Sequence, residues 1–308
     1  MAPSTLSLDD LQTAPRRRRR AAAAQWLFFA AAAATVAISL LIIWTIASQA
    51  WTFASEVARD QLWSIGWFPR RGLFDIKTLL LNSVEVSAIA MVVAIPSGLG
   101  SAIYLSEYAD PRVRRVMKPT LELLASVPSV VLGVFAISFI TPNILSFFFG
   151  DINFFNKLAA GIGVGLLVIP LIASISEDAL RAVPLALREA SIGLGARRIT
   201  TSIRVVLPAA ASGLMAAIIV GFSRAIGETM VVTIASGGGD TSLFEKSIFE
   251  SGGTITSAMA ALGLGTDQVA GNDLAFQSLY FLGALLFIIT LGLNMIGSRI
   301  VRRMREKY

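Results

Sequence analysis

Residues 189–208, EASIGLGARRITTSIRVVLP, decide how this chain is to be read. They form a charged island, with Glu189, Arg197, Arg198 and Arg204, between two strongly apolar segments. Gly193 and Gly195 interrupt a helical spacing, and Pro208 fixes the backbone where the spacing stops. A loop that only joins two membrane spans has no physical need for such internal order. The stretch therefore reads as a segment gripped by something outside the membrane.

The surrounding composition supports a membrane setting. The chain has 308 residues, 55% hydrophobic and 15% charged, with a mean hydropathy of +0.71. Soluble domains carry about a quarter charged residues. Length alone would allow about two soluble domains, but repeated long apolar segments imply one integral membrane domain. The chain has no cysteine and no histidine. That removes disulfides, thiolate metal sites, the usual general base and the commonest metal ligand, so no metal, cofactor or catalytic residue is expected.

A spanning helix needs about 20 mostly apolar residues. Six such segments occur, at 22–48, 79–105, 120–140, 158–176, 209–235 and 274–297. Lys and Arg flanking the spans set orientation. Most of the 26 basic residues fall on one side: Arg16 to Arg20, Arg112 to Lys118, Arg181 to Arg204 and Arg299 to Lys307. The net charge of +6 thus reports topology, with both termini and the 189–208 stretch in the cytoplasm. Residues 1–15 read as a disordered tail. Five arginines before an apolar run also resemble the start of a secretory signal, but the run exceeds about 7–15 residues. It reads as a retained first span, with Trp26, Trp44 and Trp51 as interfacial anchors.

Pro96, Pro128 and Pro170 lie in apolar segments and predict kinks. Gly161, Gly163 and Gly165 predict close helix approach in the fourth span. On the outer side, residues 49–78 predict a short interfacial helix and turn. Phe147 to Phe149, Phe154 and Phe155 predict a headgroup cluster. The stretch 236–273, beginning Gly237, Gly238, Gly239, Asp240, predicts a flexible connector; a Gly-rich phosphate cradle is the alternative.

Charges at membrane depth are costly and mark function by default. Arg224 lies deep in the fifth span, and Glu228 follows at the spacing that shares a helix face. Two readings stand: an internal ion pair, or an anion-contacting arginine held by Glu228, its guanidinium fork matched to phosphate-like oxygens. Glu85 and Glu122 fall near span ends and carry no acid–base assignment. Beyond the fourth span, Ser176 is expected to cap a helix before Glu177 and Asp178. Pro184 is expected to start a short helix carrying Leu185, Leu187 and Arg188.

Glu189, Ala190, Ser191, Gly195, Val205, Leu207 and Pro208 resemble the EAA motif of ABC importer permeases: Glu-Ala-Ala, three residues, Gly, nine residues, an aliphatic, one residue, Leu-Pro. Ser191 and Val205 are mild departures. The resemblance implies an all-α, six-span, type I (MetI-like) fold. It makes 1–20 a basic tail, 21–78 the first span and outer loop, and 79–308 the permease core with a coupling loop at about 177–208. It also implies that Glu189, Ala190, Gly195, Leu207 and Pro208 serve docking to an ATPase subunit. FSRAIGETMVV (222–232), LLASVPSVVLGVF (123–135) and SEYADPRVRRVMKP (106–119) are similar to phosphate-specific (Pst) permeases. RAIGETM is closer to PstC than to PstA. On this resemblance Arg224 and Glu228 match residues associated with phosphate translocation. The implied partners are a PstA-like permease, two PstB-like ATPases and a PstS-like extracytoplasmic phosphate-binding protein, around a bacterial inner-membrane complex. The chain has no G-x-x-x-x-G-K-[ST] sequence, so ATP chemistry would belong to a partner. A sulfate or molybdate permease and a passive anion channel are the rival readings.

Overall fold

The computed structural model describes residues 15–238, 246–264 and 273–305. The tail expected over 1–15 lies almost wholly outside these residues, as do Gly239 and Asp240 of the Gly-rich stretch. Two units divide the chain, residues 1–49 and 50–308.

In the first unit the long helix α1 (Pro15–Glu56) presents apolar side chains on all sides. Trp26, Phe28, Leu41 and Trp44 are all exposed, as a span bathed in lipid requires. The helix runs to Glu56, beyond the expected end at 48.

In the second unit the end of α1 buries Phe53 against Phe74 and Phe281. Residues 57–75 turn through two short 3-10 segments. Asp75 then caps the next helix, accepting from the Thr78 amide at 3.0 Å. That helix, α2 (Ile76–Tyr108), crosses as the second span. The amphipathic α3 (Pro111–Ala125) buries no residue completely. The third span is α4 (Ser129–Phe149) and the fourth is α5 (Lys157–Arg181). Next come α6 (Leu185–Gly193), α7 (Arg198–Ala209) and α8 (Ala211–Ile226), the last two bent by 70°. A break at 227–229 leads to α9 (Met230–Ala235). The helix α10 (Ile255–Gly263) precedes the final span α11 (Asp273–Arg305).

The core is the α2–α5 pair, where Val86, Ala90, Ala94, Val164, Val168 and Ile172 are buried. Lipid is as apolar as leucine, so helices associate by close packing. The expected glycine stripe does this: a Cβ on Gly161 would stand 2.6 Å from Ile89 Cβ, and one on Gly165 2.9 Å from the Ala90 carbonyl. Pro96 and Pro170 lie inside helices, as expected.

Four expectations are corrected. The third span lies at 129–149, not 120–140, because residues 120–149 are apolar enough to admit either register and Pro128 decides. Pro128 stands at the N-cap of α4 (φ −59°, ψ 131°), where its ring cannot continue α3; it starts the span instead of kinking it. Glu122 accordingly lies on α3, outside the span. The fourth span continues to Arg181, so Ser176 is a buried residue inside α5, not a cap. The stretch expected to be a flexible connector holds α10, closed by a Thr254–Ser257 capping box. The fifth span, expected to be continuous over 209–235, is broken between α8 and α9.

Candidate functional site

Two places gather the residues singled out from the sequence. The first is the cytoplasmic-type segment α6–α7. Pro184 fixes φ ahead of α6. Gly195 turns the chain at φ +81°, in the left-handed region that glycine adopts without strain. Leu185, Ile192, Leu194 and Ile199 are all more than half exposed, and Glu189 and Ala190 share this open surface. The segment is nevertheless held in place. Arg188 Nη2 donates to Glu107 Oε1 at 3.0 Å and to the Leu180 carbonyl at 2.8 Å, and Ser191 and Thr201 hydroxyls meet at 2.9 Å. An open cleft of about 580 Å³ lies here, lined by Glu107, Arg188, Glu189, Ile192, Arg198 and other residues. Leu207 and Pro208 stand apart from it. Leu207 packs beside Ala102, Leu180 and Val206, and Pro208 follows a π-helical stretch, Ser202–Val206, that loosens the helix before the 70° bend. The motif thus divides into an exposed part (Glu189, Ala190, Gly195) and an anchoring part (Leu207, Pro208).

The second place is the break after α8. Arg224 sits in the last turn of α8, about 20 Å along it from Ala211 at 1.5 Å per residue. Glu228 lies beyond the helix end, yet Arg224 Nη1 donates to Glu228 Oε2 at 2.7 Å. The burial is unequal: the Arg224 side chain is 47% exposed and that of Glu228 only 3%. The carboxylate is therefore the fixed partner, and the guanidinium, with five N–H donors, keeps others free to face outward. The Glu228 backbone carbonyl accepts from Thr256 Oγ1 of α10 at 2.8 Å. That oxygen lies in the break between two helices and would otherwise be an orphan among buried groups.

Three further charged sites went unread in the sequence. Lys157, fully buried, donates to Glu85 Oε2 at 2.6 Å and to Asn82 Oδ1 at 3.4 Å. Glu177, buried at the end of α5, binds Arg114 and sits 2.9 Å from Lys118 Nζ. The Glu177 and Asp178 carboxylates raise the Lys118 pKa above its ordinary value. Glu107 pairs with Arg188. Each pair joins residues nearly sixty or more positions apart, so no local spacing announces it. The helix α10 did leave a signal: Thr254-x-x-Ser257 before an apolar run is a capping pattern. Among the described residues no cluster of acidic side chains could hold a metal ion.

The family model described as "Binding-protein-dependent transport system inner membrane component" matches residues 94–306. The PstC phosphate transport system permease protein of Mesorhizobium japonicum is 33% identical over 274 residues, covering 83% of this chain and 80% of that one. In fold the chain is similar to the inward-facing MetNI methionine ABC transporter, at a TM-score of 0.57 and 21% identity over 73% of this chain and 93% of that one. It is also similar to a bacterial ABC transporter involved in import of the acidic polysaccharide alginate, at a TM-score of 0.63 and 17% identity over 92% and 99%.

Proposed function

The chain belongs to the family of binding-protein-dependent transport system inner membrane components, and on that premise we propose that it is one permease subunit of an ATP-driven importer of inorganic phosphate. The observation that carries the cargo is the Arg224–Glu228 pair. An arginine deep in a span, half exposed on the chain's own surface and braced by a buried carboxylate, is built to meet an oxyanion without collapsing onto its partner. Likeness to PstC permeases supports phosphate.

The exposed face of Arg224 would line a pathway completed by a second, PstA-like permease. A PstS-like binding protein would deliver phosphate on the outer side. On the cytoplasmic side, two PstB-like ATPases would hold Glu189, Ala190 and Gly195 through the exposed apolar surface of α6–α7. Leu207 and Pro208 would carry the movement into α8, because they sit between that surface and the bend. Lys and Arg placement puts both termini on the ATPase side.

Purification of the native complex and measurement of phosphate uptake into proteoliposomes tests this reading. Uptake that requires ATP and a co-purifying ATPase supports it. Phosphate flux without ATP would replace it with a passive channel, and preferred uptake of sulfate or molybdate would replace the cargo.

A further inference from the structure

We infer that Thr256 is a positioning residue for the anion-facing arginine, and that α10 is the element through which the outer loop reaches it. This inference rests on the pathway role of Arg224 and Glu228 proposed above.

The break at 227–229 has little of its own to hold its shape. It contains Gly227, at φ −89° and ψ 0°, and no proline. The Glu228 amide reaches back to the Ala225 carbonyl at 3.1 Å. On its other side the only hydrogen bond described for the Glu228 carbonyl comes from the hydroxyl of Thr256, which is 4% exposed. Glu228 in turn is the residue that aims Arg224. A shift of this carbonyl moves the Glu228 carboxylate and, with it, the guanidinium.

Thr256 is itself firmly placed. The Thr254–Ser257 capping box fixes the first turn of α10. The Ile255 amide donates to Ser83 Oγ of α2 at 3.0 Å, and Asn82 Nδ2 donates to the Gly253 carbonyl at 3.0 Å. Asn82 also accepts from buried Lys157. Hydrogen bonds therefore run from α5 through α2 and α10 to the Glu228 carbonyl, all among buried groups, where each lost bond costs most. The loop that precedes α10 would face the binding protein. Displacement of α10 by that protein would change where Arg224 points, which ties delivery of cargo to the state of the pathway.

The test uses the whole complex in proteoliposomes and reads ATP hydrolysed per phosphate imported, normalised to assembled complex. Thr256→Val keeps the side-chain shape and removes the donor. We expect it to raise this ratio about tenfold, as when a buried acceptor loses its donor, while ATP hydrolysis stays unchanged. Thr256→Ser, which keeps the hydroxyl, should restore coupling. Thr256→Ala repeats the measurement where the valine variant does not assemble. An unchanged ratio in the hydroxyl-free variant, or a serine variant as uncoupled as the valine one, overturns the positioning role. Arg224→Ala separates the two claims: if it also leaves uptake unchanged, the pathway reading itself falls. If it abolishes uptake while Thr256→Val leaves the ratio unchanged, only the role of Thr256 falls.

Discussion

The α6–α7 segment and the span break are built in opposite ways. In α6–α7 the apolar side chains Leu185, Ile192, Leu194 and Ile199 face outward while Arg188 ties the back of the segment to α2 and α5 and a Ser191–Thr201 hydroxyl contact joins its two helices. At 224–229 the carboxylate and the backbone are buried and satisfied, and one cationic fork is left half open. The first leaves area free for a protein and the second leaves charge free for an anion. A macromolecular partner is gripped through many weak contacts across a surface. A small anion is held through a few strong ones that must already be in place.

This contrast can be broken at either end. The largest effect on docking is expected for Gly195→Val. A Cβ there meets nothing within 4 Å, so the change acts only through the backbone at φ +81°, at a cost on the order of 1–3 kcal/mol. Docking of the ATPase, read by co-purification, and uptake should both fall by about tenfold or more. If both survive, the exposed turn is not the docking surface.

Next comes Lys157→Met, which strands Glu85 beside a dry core. Breaking a buried pair costs about 3–5 kcal/mol, and Glu85 at 26% exposure places the loss toward the low end. Thermal unfolding of the complex in detergent should move downward. A stability equal to wild type would mean that the outer knot of α2, α5 and the α10 loop does not depend on this pair.

A smaller effect is expected at the clamp of Lys118 on Glu177 and Asp178. The carboxylates hold the lysine pKa above its ordinary value. A raised lysine contributes stability below the unfolded value of about 10.4 and loses it as pH rises through the folded value. Stability from this clamp should therefore be flat across the neutral range and decline only in strong alkali. Lys118→Met should remove that alkaline decline; a wild-type protein that loses it near neutrality would contradict the assignment.

The smallest effect is expected for Glu122→Gln. Glu122 is exposed on α3, so stability should change by no more than about 0.5 kcal/mol and uptake should stay intact. Loss of transport there would assign this residue a role in the pathway.

How much of this was legible in the sequence follows from the range of the interactions. The apolar spans and the Arg224–Glu228 pair were readable, because hydropathy and an i,i+4 step are local. The register of the third span was not, since the mostly apolar stretch 120–149 admits two windows and Pro128, at the N-cap, selects one. Glu85 with Lys157, Glu177 with Arg114 and Glu107 with Arg188 were invisible for a similar reason: each partner is chosen by the fold. The helix α10 was hidden by composition, because its Gly, Ser and Thr surroundings look like a connector until their hydroxyls are seen capping helices and closing carbonyls.

Phosphate uptake by reconstituted complexes carrying Arg224→Ala tests the central claim most directly. The account predicts normal assembly, retained ATP hydrolysis and loss of phosphate uptake. Uptake at the wild-type rate would contradict it and leave the Arg224–Glu228 pair as an internal ion pair of the span.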